Sequence, residues 1–241
     1  MEPILPVTFN ARDLGGKRAA GGVVRSGVVV RSDAPVVLGD EGRGVLRRLG
    51  VRTAIDLREP VERELDPPDF DGLEIDVVRQ PIIGGDFDVT TTMTLEDVYM
   101  RLLDARGRAL TDAVRVLAQP GATPALLFCS AGKDRTGLLS ALVLGAVGAP
   151  EEEIVADYHR TELNMKGPFR AAIEARAIAA GVSEQELAVK VGAPAELMGK
   201  VLEKLRREYG GAEGFLKAHG LTDDELDALR RRLVEPLASA A

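Results

Sequence analysis

Ala125-Leu126-Leu127-Phe128-Cys129-Ser130-Ala131-Gly132-Lys133-Asp134-Arg135-Thr136-Gly137 joins an apolar run to a loop of small and polar residues. The first four residues are continuously apolar, as in a strand buried on both faces. Leu138 to Val147 is apolar nearly all round, the pattern of a buried helix. The loop therefore ends at a helix N-terminus, where unpaired N–H groups and the helix dipole favour an anion. Gly132 lets the chain curl so that successive N–H groups point inward. Arg135 offers a planar fork for two phosphate oxygens, which a lysine does not. The same field favours a thiolate at Cys129, since cysteines so placed have pKa values of roughly 3.5–7.5. Cys129 is the only cysteine, so it has no internal disulfide partner. The arrangement suits a thiolate nucleophile at the floor of a phosphate-binding loop.

Working outward, strands alternate with helices on the N-terminal side. Val23-Val24-Arg25 and Val28-Val29-Val30 flank Ser26-Gly27 and read as a hairpin. Asp40 to Leu49 reads as a helix closed by Gly50. Val51 to Leu57 and Leu73 to Val78 read as strands, with Pro67-Pro68 between them. Thr94-Leu95-Glu96-Asp97 looks like a helix start, and Gly107 to Gln119 forms the helix before the cysteine-bearing strand. This order predicts an α/β fold: a mainly parallel central sheet flanked by helices. Beyond the central helix the chain reads as all helical. Ser183-Glu184-Gln185-Glu186 and Thr222-Asp223-Asp224-Glu225 are capping boxes, and Pro194 to Tyr209 has apolar residues at helical spacing. No linker rich in Gly, Ser or Pro interrupts the chain. Residues 1–241 are therefore expected to form a single domain: an α/β core over 1–150 and a helical extension over 151–241 packed on it.

Composition excludes some classes. A net charge of −7 and 241 residues point to an acidic chain with a substantial core, not to a nucleic-acid binder. No apolar run approaches the roughly 20 residues of a membrane span. The N-terminal residues lack a basic start and apolar h-region, so a reducing cytoplasm is the expected location. The histidines are His159 and His219, and no Cys/His cluster has metal spacing, so neither metal nor cofactor is expected.

Residues 129–137 resemble the signature loop of cysteine-dependent phosphatases. The form Ala-Gly-Lys-Asp-Arg-Thr-Gly is similar to the atypical bacterial tyrosine and phosphoinositide phosphatases, the protein-tyrosine-phosphatase-B-like group. The likeness continues through Phe9-Asn10-Ala11-Arg12-Asp13-Leu14-Gly15-Gly16, where Ala11 replaces the family's aromatic, Val30-Arg31-Ser32, Ala54-Ile55-Asp56-Leu57-Arg58, Ala156-Asp157-Tyr158, and Tyr209-Gly210-Gly211 with Phe215-Leu216. It spans nearly the whole chain. One departure stands out: Phe128 occupies the position where the family usually has histidine.

The resemblance implies hydrolysis of phosphate monoesters through a phosphocysteine intermediate. The implied substrates are phosphotyrosine, with phosphoserine, phosphothreonine and phosphoinositides as further classes, and inorganic phosphate is the product. Cys129 attacks phosphorus, while Arg135 and the loop residues Ser130, Ala131, Gly132, Lys133 and Asp134 hold the phosphate. Thr136 is expected to hydrogen-bond the sulfur and ease its departure. Asp134 and Asp86 are the main candidates for the acid that protonates the leaving oxygen, with Asp88 and Asp56 behind them. Asp56 also reads as a buried partner that orients Arg58 or Arg31. Lys133 is expected to add positive charge at the mouth, which suits a polyanionic head group. Two other classes stay open. One is a catalytically weak phosphate-binding module, impaired by Phe128; the other is a sulfur-transfer enzyme.

Overall fold

The computed structural model describes residues 4–84, 87, 93–165, 170–171, 174–175 and 192–237. Its main sheet has five strands in the order β1-β4-β7-β5-β6. These are β1 (Arg12–Asp13), β4 (Val29–Ser32), β7 (Ala125–Phe128), β5 (Thr53–Asp56) and β6 (Asp76–Arg79). Only β1 runs antiparallel; β4, β7, β5 and β6 pair in parallel. The C-terminal ends of the central strands therefore share one edge, and Cys129 stands on it.

Strand β7 shows why its sequence is apolar without alternation. Ala125 and Leu127 face a core that includes Leu110, Leu138 and Leu142. Leu126 and Phe128 face a second core with Leu5, Leu46 and Val51. Successive side chains point to opposite faces, so a strand covered on both sides must be apolar throughout.

Described helices cover both faces. They are α1 (Gly39–Leu49), α2 (Pro60–Leu65), α3 (Leu95–Ala118), α4 (Asp134–Ala146), α5 (Glu151–Asn164), α6 (Ala195–Tyr209), α7 (Ala212–Ala218) and α8 (Asp223–Leu233). Helix α4 is buried along nearly its whole length because α3, α5 and α7 all pack on it. That explains its lack of a polar face. Thr222 caps α8 through the expected box, and Thr94, read as a helix start, caps α3 through a box of its own. The other expected box, Ser183 to Glu186, lies outside the described residues.

Three expectations change. The hairpin around Ser26-Gly27 does not form. β3 (Gly22–Val24) pairs instead with β2 (Arg18–Ala19) and β8 (Val234–Pro236), while β4 joins the main sheet. The segment from Leu14 to Gly16 separates the two runs, since Leu14 N–H donates to Val29 O and Gly16 N–H to Val24 O. The C-terminal part is not all helical either. Strand β8 returns to pair with β3, which ties the end of the chain to the N-terminal third. Finally, the helix expected from Gly107 starts at Leu95 and bends at Arg106, whose φ is −124°.

Candidate active site

Cys129 follows the last residue of β7 and is buried, and α4 begins at Asp134. Lys133 is the N-cap residue of the helix, with φ −102° and ψ −76°. The chain between them bends back at Gly132, where φ is +62°. A Cβ there would stand 2.4 Å from Ser32 O, so side chains are excluded by space as well as by conformation.

The back of this loop is tied down carbonyl by carbonyl. Ser130 O accepts from Ala34 N–H at 3.0 Å. Ala131 O accepts from Asn10 Nδ2 at 3.2 Å. Gly132 O accepts from Asn10 Nδ2 at 2.8 Å and from Arg31 Nη2 at 2.7 Å. In a trans peptide the N–H points opposite to the C=O. The N–H groups of Ala131, Gly132 and Lys133 therefore point away from these anchors and into the loop, as in an anion nest.

The anchors are themselves held by one carboxylate. Asp157, on α5, bonds Arg31 Nη1 at 2.6 Å and Arg12 Nε at 3.2 Å. Lys17 Nζ lies 3.5 Å away. Burial would raise the Asp157 pKa, but the charges of Arg31, Arg12 and Lys17 hold it well below the usual carboxylate range. Asn10 is fixed from the other side, where Asp33 accepts its backbone N–H at 3.0 Å. Burial raises the Asp33 carboxyl to about 6, against the N–H groups of Asn10 and Phe9 that favour its ionised form.

The front of the loop is arranged differently. Arg135 holds Glu62 of α2 with both terminal nitrogens, at 2.6 and 2.7 Å. Its Nη2 also lies 3.3 Å from Ser130 Oγ, and Ser130 donates to Glu62. Among the described residues none of the Arg135 bonds uses Nε, so that edge of the fork is left for a ligand. Burial alone would raise the pKa of Glu62, yet the hydrogen bonds and charge of Arg135, with Ser130, hold it down to about 2. Burial also opposes the charge on Arg135, but Glu62 and the charges of Cys129 and Asp134 outweigh it and push its pKa further up.

Asp134 stands at the start of α4 with its side chain about one-third exposed. Its Oδ1 accepts from the hydroxyl of Tyr99 at 2.8 Å and lies 3.4 Å from Lys133 Nζ. Tyr99 on α3 shares a second bond, 2.8 Å, with the hydroxyl of Tyr158 on α5. Both rings are buried. Burial, then the charge of Asp134, pushes the Tyr99 pKa well above its ordinary value, so it stays a donor. Lys133 is buried and reaches Gly192 O at 3.0 Å. Its charge faces Asp134 and the interior rather than an exposed mouth. The Thr136 hydroxyl is buried without a hydrogen-bond partner among the described residues.

Phe128 belongs to the core. Its ring meets Phe70 edge-on at 6.2 Å, and the Arg58 guanidinium lies 5.1 Å from its centre. Strand alternation turns it to the face opposite Leu127. Asp56 is committed to Arg58, with bonds of 2.9 and 2.8 Å, and has no part at the front of the loop. Asp86 and Asp88 lie outside the described residues. Reading the sequence did not single out Glu62, and no spacing links it to the loop. Nor did it assign a part to Asn10, Arg12 or Asp157 beyond their place in the resembling stretches, and Arg31, read as an alternative partner of Asp56, pairs with Asp157 instead. Among the described residues no His, Cys, Asp and Glu side chains gather as a metal site. No helix among them is long and apolar enough to cross a membrane.

Comparison with known proteins agrees with the loop. Residues 4–235 match the model of a family described as the tyrosine phosphatase family. A tyrosine-protein phosphatase of Nostoc commune is 31% identical over 208 residues, covering 81% of this chain and 70% of that protein. The triple specificity protein phosphatase PtpB of Mycobacterium tuberculosis is 28% identical over 276 residues, covering 94% and 96%. Among solved structures, the core catalytic domain of the PP-IP phosphatase SIW14 from S. cerevisiae is 18% identical with a TM-score of 0.37, over 64% of this chain and 86% of that one.

Proposed function

The chain belongs to the tyrosine phosphatase family, and on that premise we propose how its residues divide the work of cleaving a phosphate monoester. One observation carries the reading. Three consecutive carbonyls, those of Ser130, Ala131 and Gly132, are bonded outward behind Cys129. The amides and the Nε edge of Arg135 then surround the space in front of the sulfur. A tetrahedral dianion fits that need, and metal-free charge stabilisation follows from fixed dipoles.

In the first step the Cys129 thiolate forms a bond to phosphorus as the bond to the leaving oxygen breaks. Asp134 gives its proton to that oxygen. In the second step water attacks phosphorus and gives a proton to the Asp134 carboxylate. The sulfur–phosphorus bond breaks, the thiolate returns and inorganic phosphate leaves. Oδ1 of Asp134 already accepts from Tyr99, so Oδ2 is the oxygen that carries the proton. Glu62 is not a reacting group. It grips the outer end of Arg135 and sets the plane of the fork. Thr136 supplies a hydroxyl with no other partner among the described residues, suited to receive the departing sulfur's charge. Ser130 to Arg135 form the phosphate cradle.

The substrate we propose is phosphotyrosine first, with phosphoserine, phosphothreonine and phosphoinositides as further classes. The named specificity of the mycobacterial relative supports the wider range. Burial of Lys133 removes one reason for preferring a lipid head group, so peptide substrates rank ahead. We read residues 1–241 as one domain acting in the cytoplasm. One apolar core that includes Leu14, Leu127, Leu142, Phe215 and Leu229 supports the single domain.

The test is phosphate release by the wild type and by Cys129→Ser, with chelator present, on a phosphotyrosine peptide, a phosphothreonine peptide and a phosphoinositide panel. Turnover that survives chelation and disappears with the serine is expected. A folded wild type without turnover on any of them would overturn the mechanism and favour a phosphate-binding module.

A further inference from the structure

Away from Cys129, the structure has a cavity of about 510 Å³. Its walls include Lys17, Asp157, Arg160 and Asn164. None of Cys129, Glu62, Asp134 or Arg135 lines it. Its size falls within the roughly 300–1,000 Å³ of small-molecule sites.

Arg12, Lys17 and Arg160 line it against Asp13, Glu153 and Asp157, but the cations are crowded on one of those acids. Asp157 is a single carboxylate, and Arg12, Arg31 and Lys17 all lean on it. Arg160 adds a fourth cation, close enough to Arg12 to act on its charge. The other acids of the wall are already engaged. Asp13 accepts the N–H groups of Gly15 at 2.8 Å and Gly27 at 2.6 Å. Glu153 is held by Arg18 through its backbone N–H at 2.8 Å and its Nε at 2.6 Å. The Arg160 side chain is half-buried and has neither a hydrogen bond nor an ion pair among the described residues. Lys17 donates to Leu14 O at 3.2 Å and reaches Asp157 only at 3.5 Å, so it too has donors to spare. A half-buried guanidinium that bears on Arg12 and has no paired carboxylate favours an added anion. The state of Arg12 agrees: burial, then the charge of Arg31, lowers its pKa to about 10 in spite of Asp157.

We propose that this cavity binds a small polyanion of the phosphate or polycarboxylate class, held between Arg160 and Lys17. The site is separate from the catalytic loop but joined to it. Asp157 shares the cluster with Arg31, and Arg31 holds Gly132 O. An anion at Arg160 relieves the crowding of positive charge that supports the loop from behind, so its binding stabilises the loop without touching the substrate.

Calorimetric titration at low ionic strength tests this with the full chain carrying Arg135→Ala, which has lost the fork of the catalytic loop. Pyrophosphate and citrate are the probes, titrated separately. One saturable site is expected, weakened at least tenfold when Arg160→Ala is added and regained with Arg160→Lys. Saturation by pyrophosphate alone assigns phosphate chemistry; saturation by both assigns charge alone, and either result keeps the site. Should Arg160→Ala not fold, Lys17→Met is the second variant, with the same loss expected. Absence of saturable binding, or binding that neither Arg160→Ala nor Lys17→Met weakens, overturns the proposal.

Discussion

The two sides of the loop at residues 129–135 solve opposite problems. Behind it the loop carbonyls are capped: Asn10, Arg31 and Ala34 donate to them, and Asp157 holds Arg31 and Arg12. In front, groups are oriented but not saturated. Arg135 is held by its outer end only, Asp134 by one oxygen, and the Thr136 hydroxyl by nothing among the described residues. The difference teaches how a site is preorganised. Satisfied buried bonds fix the backbone, and that rigidity lets the front keep donors free for a ligand.

Breaking the back is expected to have the largest effect. Asp157→Ala leaves Arg31, Arg12 and Lys17 without their shared carboxylate, and stranding buried charge costs about 3–5 kcal/mol. A large fall in the thermal midpoint together with lost turnover is the expected result. A stable Asp157→Ala protein with normal turnover would show that the back is not what positions the loop.

Asp33 tests the back more gently, through pH. Its folded pKa is raised to about 6 from 3.8. Its contribution is therefore fully present below 3.8 and lost as pH rises through about 6. A shift of this size is worth on the order of 3 kcal/mol. Asp33→Asn should flatten the stability profile in this window, as read by chemical unfolding at a series of pH values. An unchanged slope would place the titration elsewhere.

The front should respond in rate more than in stability. Glu62→Gln weakens a charge-assisted grip on Arg135 worth about 1.5–3 kcal/mol. A fall in kcat/KM of about 10- to 100-fold is expected, with a smaller fall in thermal midpoint than that of Asp157→Ala. An equal loss of stability would move Glu62 to the supporting side of the comparison.

The smallest effect is expected one layer further out. Tyr99→Phe removes the donor to Asp134 Oδ1 and keeps the ring. We expect about a tenfold loss in kcat/KM on phenyl phosphate, the order of one hydrogen bond. The loss should be smaller on 4-nitrophenyl phosphate, whose better leaving group needs less protonation. Equal losses on both substrates would remove Tyr99 from the positioning of the acid.

Legibility followed the same division. Cys129 and Arg135 could be read because they lie on one continuous stretch between a buried strand and a buried helix. The parallel sheet was legible from apolar runs such as Ala125 to Phe128. The hairpin expected at Ser26-Gly27 failed because pairing partners are chosen by the whole sheet, and the segment from Leu14 to Gly16 came between the runs. Phe128 looked like a weakness of the site. It is a core residue beneath Arg58 on the second face of the sheet, which the strand's position in the sheet decides.

The sequence by itself determined the loop, its nucleophile and its arginine, because backbone curvature at Gly132 and a helix start at Asp134 are local properties. It also determined that β7 and α4 lie inside, because neither carries a polar face. Only the tertiary structure decided which distant side chains complete the site. Glu62, Tyr99, Asn10 and Asp157 come from different elements, and no periodicity records their approach. They meet because parallel strands bring their ends to one edge and α5 packs beside α4, so that Arg12 and Arg31 find Asp157 there.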